Sequence, residues 1–285
     1  MKIAVLSGKG GTGKTLVSVN LASVAEKASY VDCDVEEPNG HLFFKPMIEH
    51  VESVKVKIPK INNEKCTGCR KCVDFCRFNA LAYVNHSVKV FEDVCHSCGG
   101  CMLVCPENAI TESDKPIGRI ERGISEKVQV HTGILNMGEA SGVPIVKQLL
   151  KGDTREDKLV INDAPPGSAC IVMESIKDAD YCVLVAEPTI FGTQNLSMVH
   201  ELVELFEIPF GVVLNKCLDE DNPAESYCND HKINIIGKIN YSQDLAILSS
   251  RGEIVSRIDP QYQTIFKLIL EHIVEEVGYA TTSRT

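Results

Sequence analysis

The chain has 285 residues, a formal net charge of −10, 13 cysteines and no tryptophan. That length holds one large domain plus something small, and the acidity argues against bulk nucleic acid or an anionic membrane as the principal partner. MKIAVLSG runs from Met1 straight into an apolar strand with no leader, and no apolar run approaches the roughly 18 residues of a membrane span, so the cysteines read as metal ligands in a reducing compartment, the cytoplasm, rather than as a disulfide framework.

In chain order, residues 2–7 (KIAVLS) read as a buried strand, followed by a glycine-rich loop, a helix over KTLVSVNLASVAEKA and a second strand from Tyr30 to Asp34. Strand, glycine loop, helix, strand is the opening of a parallel α/β fold. From about Ile61 to Lys115 apolar runs shorten and cysteines crowd in. Beyond them GRIERG and KVQVHTG read as short strands, LNMGEASG (Leu135 to Gly142) as a loop, and VPIVKQLLKG as a helix stopped by Gly152. Alternation resumes with strand KLVIND, loop APPGS, a helix near Ile171–Lys177, strand YCVLVAEP, helix TQNLSMVHELVELF and strand FGVVLNK. NIIGKI is the last strand and QTIFKLILEHIVEEV the closing helix. Strands alternating with helices imply a mainly parallel sheet covered on both faces. His200 lies on an apolar helical stripe and reads as packed. The closing helix sets Glu271, Glu275 and Glu276 against Lys267; membrane-surface helices are basic on the polar face, so it reads as a core helix.

Gly8 to Thr15, GKGGTGKT, fits G-x-x-x-x-G-K-[ST] with a strand before and a helix after. Gly8, Gly10, Gly11, Thr12 and Gly13 let backbone N–H groups converge on phosphate oxygens at a helix N-terminus. Lys14 would pair with the β- and γ-phosphates, and the Thr15 hydroxyl with Mg²⁺. The extra Lys9 gives the deviant form KGGTGKT, and with it the chain resembles the MinD/Mrp family of P-loop ATPases, which includes ParA-type proteins and the nitrogenase iron protein. The resemblance implies that Lys9 reaches the nucleotide of a facing subunit in an ATP-bound dimer, where it stabilises charge developing in phosphoryl transfer. It implies that Asp34, ending VDCD, orients the attacking water near Mg²⁺, with Asp32 the weaker candidate. Asp163 in LVINDAPPG would hold Mg²⁺, usually through water, and Asn215 in VVLNKC would read the adenine edge. The resemblance covers nearly the whole chain outside the cysteine segment.

CTGCRKCVDFCRFNALA from Cys66 repeats as CHSCGGCMLVCPENAIT from Cys95, an offset of 29 residues. Both copies carry C-x₂-C-x₂-C-x₃-C, the bacterial ferredoxin run, whose fourth cysteine ligates the other cluster. Three closely spaced thiolates take three corners of one iron–sulfur cube, and the fourth points towards the second. Cys66, Cys69, Cys72 and Cys105 are therefore expected to hold one [4Fe–4S] cluster, and Cys76, Cys95, Cys98 and Cys101 the other. Zinc prefers two separated pairs of ligands per site, and the eight cysteines do not read that way. The first run ends in CR rather than CP, so Arg77 either places a cation near a cluster, where it favours the reduced form, or is a solvated surface arginine. Cys33 and Cys182 read as core thiols and Cys170 as nothing special. The C-x-x-C that often bridges subunits near the C-terminus of the Mrp branch is absent from that part of the sequence.

The expected architecture is α/β: a mainly parallel, doubly wound P-loop NTPase sheet (residues 1–60 and 116–285) with an inserted small α+β ferredoxin-like two-cluster domain (61–115). The expected function is a Mg-ATP-binding ATPase carrying two [4Fe–4S] clusters, forming a homodimer or a heterodimer with a related ATPase and passing electrons to a redox or cofactor-carrying protein partner. A metal-cofactor assembly factor and a redox-sensing positioning ATPase are the alternatives.

Overall fold

The computed structural model describes residues 1–151, 159–218 and 222–282. Gly152, expected to stop a helix, lies outside them. β1 (Lys2–Leu6) has apolar side chains on both faces: Ile3 and Val5 pack to one side, Ala4 and Leu6 to the other, and all four are fully buried. A strand of that pattern belongs in the middle of a parallel sheet. It leads to α1 (Lys14–Val24), β2 (Ala28–Asp32) and α2 (Gly40–Phe44). A long strand β3 (Met47–Ile61) then runs out to α3 (Lys71–Phe75), the hairpin β4 (Leu81–Val84) and β5 (Ser87–Val90), and α4 (Gly100–Leu103). β6 (Ile110–Ser125) returns along β3 and turns into β7 (Val128–Leu135) and α5 (Val143–Lys151). The remainder alternates: β8 (Leu159–Asp163), α6 (Cys170–Ile176), β9 (Tyr181–Ala186), α7 (Ile190–Leu205), β10 (Phe210–Cys217), α8 (Pro223–Asp230), β11 (Ile235–Asn240), α9 (Gln243–Ser250) and α10 (Pro260–Thr282).

Among the described residues the main sheet has nine strands in the order β11-β10-β9-β1-β8-β2-β7-β6-β3. From β11 to β7 every neighbouring pair is parallel; β6 and β3 add an antiparallel edge. The sheet is thus mainly parallel α/β. One face is covered by α1 and α10, whose Phe266, Ile269 and Ile273 recur at helical spacing and are buried. The other is covered by α5, α6, α7 and α8. Each buried large aliphatic side chain contributes roughly 1.5–3 kcal/mol relative to exposure.

Three differences from the sequence reading have physical causes. β3 is an element that the pattern did not announce: it is an edge strand, its side chains are mostly exposed, and only Val54, Ile58 and Pro59 are buried along it. Its interior partner, β6, was expected only over GRIERG but spans 16 residues, because long-range pairing with β3 carries it through Pro116, beside a register shift at Val54/Lys55. β2 stops at Asp32, so Asp34 sits in the loop beyond the strand.

Between Ile61 and Ile110 the chain leaves the main sheet at the far end of the β3–β6 ribbon. There Cys72, Leu81, Val88 and Ile110 form a separate small core. The β4–β5 hairpin closes on Asn85 and His86, both at positive φ, the turn that matches strand twist.

Candidate nucleotide site and cysteine rings

The C-terminal ends of the parallel strands collect the polar residues, as expected at the ligand edge of an open α/β sheet. α1 begins after Gly13, which has φ of 94° and no side-chain cap; uncapped N–H groups at a helix start are an anion site. A Cβ on Gly13 would lie 2.0 Å from Asn215 Nδ2, so glycine is required both by backbone angle and by the neighbour. Asn215 is buried and donates to the Thr12 carbonyl at 2.7 Å. It also borders a cavity of about 340 Å³ beside the loop, with Leu16, Tyr241, Ser242 and Leu245. Gly10 and Gly11 face open space, and the buried Thr12 hydroxyl has no hydrogen-bond partner. A loop of this kind, open towards solvent, backed by a cavity and holding an unused hydroxyl, fits a nucleoside polyphosphate.

Beneath the loop lies a buried charged cluster. Lys14 Nζ donates to Asp163 Oδ1 at 2.6 Å, and Tyr30 Oη donates to Asp163 Oδ2 at 2.7 Å. Strand register sets Asp32 directly opposite Asp163. Asp32 accepts the backbone N–H of Gly40 at 2.8 Å and of Asp34 at 3.2 Å. Burial and then the Asp163 charge push the Asp32 carboxyl up to about 8, against the opposing pull of Lys14. Burial likewise lifts Asp34 to about 6, with Lys14 opposing and Asp163 adding. Burial works to lower the Lys14 ammonium, but Asp163, Asp32 and Asp34 together hold it above its ordinary value. One cation facing three carboxyl groups, two of them held towards their neutral form, is an arrangement that a divalent cation would relieve by favouring the charged carboxylates. Thr15 stands in the first turn of α1, partly buried beside Lys14.

Lys9 is held by its own chain, its Nζ 2.7 Å from Glu187 Oε2. Lys216 shares the same carboxylate at 2.6 Å and donates to the Gly11 carbonyl at 2.7 Å. A register shift between Asn215 and Cys217, with Lys216 at φ of 58°, turns this side chain to the loop. Burial would raise the Glu187 carboxyl, but hydrogen bonds from Lys216 and Lys9 outweigh it and hold it below its ordinary value. Sequence reasoning missed Glu187, Lys216 and Tyr30. The only signal was their adjacency to motifs: Lys216 follows Asn215, and Tyr30 is a phenol inside a strand.

The eight ferredoxin-run cysteines divide into two sets. Cys66, Cys69, Cys72 and Cys105 border one narrow cavity of about 20 Å³ with Ile61, Val88 and Ile110. Cys76, Cys95, Cys98 and Cys101 border another of about 230 Å³, with Phe75, Phe78 and Met102. In each, the cysteine that ends one run joins the three that begin the other. Burial, reinforced by the nearby Cys105 and Cys66, raises the Cys72 thiol, and burial with Cys95 and Cys98 lifts Cys101 to about 11. Among the described residues no three His, Cys, Asp or Glu side chains gather as a site for a single metal ion; the thiols border spaces rather than a point. Of the other cysteines, Cys33, Cys182, Cys217 and Cys228 are buried and Cys170 is exposed.

A chain of contacts joins the two regions. Lys115 on β6 bridges Asp93 Oδ1 at 3.0 Å and Glu139 Oε2 at 2.9 Å. Asp93 lies two residues before Cys95, and Glu139 lies in the loop after β7. Leu135, ending β7, donates its N–H to the Val35 carbonyl at 2.8 Å. Val35 follows Asp34 and is buried so tightly that a Cβ on Gly142 would meet it at 2.4 Å.

The family profile described as the CobQ/CobB/MinD/ParA nucleotide binding domain matches residues 3–255. An uncharacterised protein of Methanocaldococcus jannaschii, MJ0579, is 30% identical over 258 residues, spanning 89% of this chain and 90% of its own. The pyruvate synthase subunit PorD of the same organism is 42% identical over 55 residues, 19% of this chain and 64% of that protein. Among solved structures, the septum site-determining protein MinD of Pyrococcus horikoshii, complexed with Mg-ADP, superposes with a TM-score of 0.62 over 98% of this chain and 97% of its own. At 16% identity that likeness is one of fold. Among the described residues no helix is long and apolar enough to cross a membrane.

Proposed function

The chain belongs to the CobQ/CobB/MinD/ParA nucleotide-binding family, and from that premise we propose that it is a Mg-ATP-dependent ATPase whose two cysteine rings hold [4Fe–4S] clusters, nucleotide binding governing electron transfer to a protein partner. The observation that carries this reading is the sorting of eight cysteines into two four-thiol cavities, with Cys95 of one of them also bordering a separate space beside the loop tied to the Asp34 segment. Thiolates at those positions suit iron–sulfur ligation, and the raised thiols of Cys72 and Cys101 mean that loading displaces protons. When bound there, each cluster supplies a one-electron store whose potential is set by nearby charge, hydrogen bonds and exposure.

At the nucleotide site, arriving phosphates compete with Asp163 for Lys14. With Lys14 turned to the β- and γ-phosphates, Asp163 and the Thr15 hydroxyl would hold Mg²⁺, which would neutralise phosphate charge there, and Asp34 would orient the attacking water. Asn215, already fixed against Thr12, borders the cavity that would take the base. Lys9 leaves Glu187 to act on a facing subunit's nucleotide. Exposed apolar side chains on α7 support such a dimer: α7 packs on Gly8 through Asn195, and Ile190 and Phe191 in its first turn are 77% and 73% exposed. Movement of Asp34 and Val35 would displace β7's end, Glu139 and, through Lys115, the Asp93–Cys95 segment.

The exposure of Cys69 and Cys98 favours a second reading, in which a cluster is handed to a client and the protein is an assembly factor. The experiment is anaerobic purification, iron and sulfide analysis, and midpoint potentials without nucleotide, with Mg-ADP and with a non-hydrolysable Mg-ATP analogue. A shift beyond about 30 mV, roughly 0.7 kcal/mol for one electron, supports gated redox. Iron-free protein refutes both readings, and unchanged potentials with loss of iron to an apo-acceptor favour the second.

A further inference from the structure

β2, ASYVD, is a fully buried strand with a phenol in its middle. Tyr30 is fully buried and packs on Phe44, ring centroids 4.9 Å apart. A hydroxyl so placed is costly unless it is hydrogen-bonded, and its partner is Asp163 Oδ2, 2.7 Å away, while Lys14 holds Oδ1. We propose that Tyr30 is a positioning residue for the Asp163 carboxylate: it fixes the rotation of that group and keeps it in place when Lys14 is drawn to phosphate. The inference rests on the ATPase reading above.

Three observations converge. First, the Lys14 bond is the one that nucleotide must break, so a carboxylate held by Lys14 alone would be released at the moment it has to bind Mg²⁺. Second, Asp32 lies opposite Asp163 in the strand register and is committed to the N–H groups of Gly40 and Asp34. Asp32 is thus turned to other donors, which leaves Tyr30 Oη as the side chain that holds Asp163 once Lys14 departs. Third, the surroundings are built around the phenol: a Cβ on Gly40 would lie 2.1 Å from a Tyr30 ring carbon and 2.3 Å from its hydroxyl oxygen. Gly40 thus both yields space to Tyr30 and donates to Asp32, locking the start of α2 to the same pair of strands.

The test is Tyr30→Phe, which keeps the ring and its packing and removes only the hydroxyl. Binding of a fluorescent ADP analogue to the full-length, anaerobically purified protein is titrated against free Mg²⁺, with an EDTA arm and a thermal melt. The expected result is EDTA-arm affinity unchanged within about twofold, and a Mg²⁺ midpoint raised roughly tenfold, the size of one buried hydrogen bond to a charged group. Gly40→Ala, which pushes the phenol aside, should raise the Mg²⁺ midpoint in the same direction. An unchanged Mg²⁺ midpoint in Tyr30→Phe overturns the proposal. So does an equal loss of affinity with and without Mg²⁺, which marks a packing role. Wild-type protein that binds nucleotide indifferently to Mg²⁺ refutes the ATPase reading itself, and the proposal with it.

Discussion

Replacing Lys115 by methionine keeps the aliphatic stem and deletes the charge that ties the Cys95 segment to the loop after β7. Lys115 and Glu139 are 13% and 12% exposed and 2.9 Å apart, whereas Asp93 is 83% exposed. The first contact is a shielded hydrogen bond between charged groups, a class worth about 1.5–3 kcal/mol net; the second, in water, contributes little. The route can therefore transmit at most about 3 kcal/mol, equivalent to roughly 130 mV for a one-electron couple. Lys115→Met should lower the melting temperature by a few degrees and leave iron content and basal ATP hydrolysis as they are. It should also remove most of any nucleotide-dependent change in midpoint potential, while Lys115→Arg restores it. The assay is a redox titration followed by EPR, with and without Mg-nucleotide. A full-sized nucleotide shift in Lys115→Met protein with intact clusters would refute the route, whereas no shift in the wild type would refute the coupling itself.

Lys14→Ala should abolish nucleotide binding by calorimetry while leaving iron content intact, with a lowered melting temperature because Asp163 loses its buried cation. Cys66→Ala and Cys95→Ala should each reduce iron and sulfide by about half, one cluster of two, and keep nucleotide affinity; an unchanged iron content in either would contradict the assignment of that ring. Glu187→Gln should release Lys9 and Lys216 and lower the ATP concentration needed for dimerisation by several-fold, read by sedimentation. The Glu187 carboxyl is held below its ordinary value in the folded protein. Its contribution to stability is therefore present above the unfolded value of about 4.3 and lost as pH falls through the folded value. The stability difference between wild type and Glu187→Gln should thus shrink in acid, and a difference that grows there would contradict the assignment.

What was legible in the sequence was local. Gly8 to Thr15 is contiguous, its chemistry requires glycine and lysine at fixed steps, and the flanking strand and helix follow from apolar period alone. The cysteine runs were visible for the same reason, since a pattern of residues three apart needs no knowledge of the fold. What was not legible is pairing across distance. Tyr30 meets Asp163 across 133 positions, and Lys216 meets Gly11 across 205; nothing in either sequence neighbourhood announces the partner. β3 escaped because an exposed edge strand carries lysine, glutamate and proline, the residues that keep an edge from aggregating, and so lacks the apolar run by which interior strands are found.

The ribbon of β3 and β6 also orders the two rings. Lys57, Pro59 and Glu112 border the ring of Cys76, Cys95, Cys98 and Cys101, whereas Ile61 and Ile110, nearer the tip, border the ring of Cys66, Cys69, Cys72 and Cys105. The ring of Cys76, Cys95, Cys98 and Cys101 is thus nearer the nucleotide body, and Cys95 additionally borders the space beside Glu139 and Pro144. Arg77 and Lys57 both line that proximal cavity, with Glu112 the opposing charge. On the proposed reading, with Lys57 already paired to Asp114 at 2.7 Å, Arg77 beside Cys76 is the cation that favours the reduced form at the proximal ring. An electron entering at the distal ring would then settle where Lys115 and Glu139 can influence it. The same asymmetry makes a specific demand of the redox titration: nucleotide should move the EPR signal lost in Cys95→Ala and leave the one lost in Cys66→Ala where it was. A shift confined to the distal signal would break the link between ring order and nucleotide control.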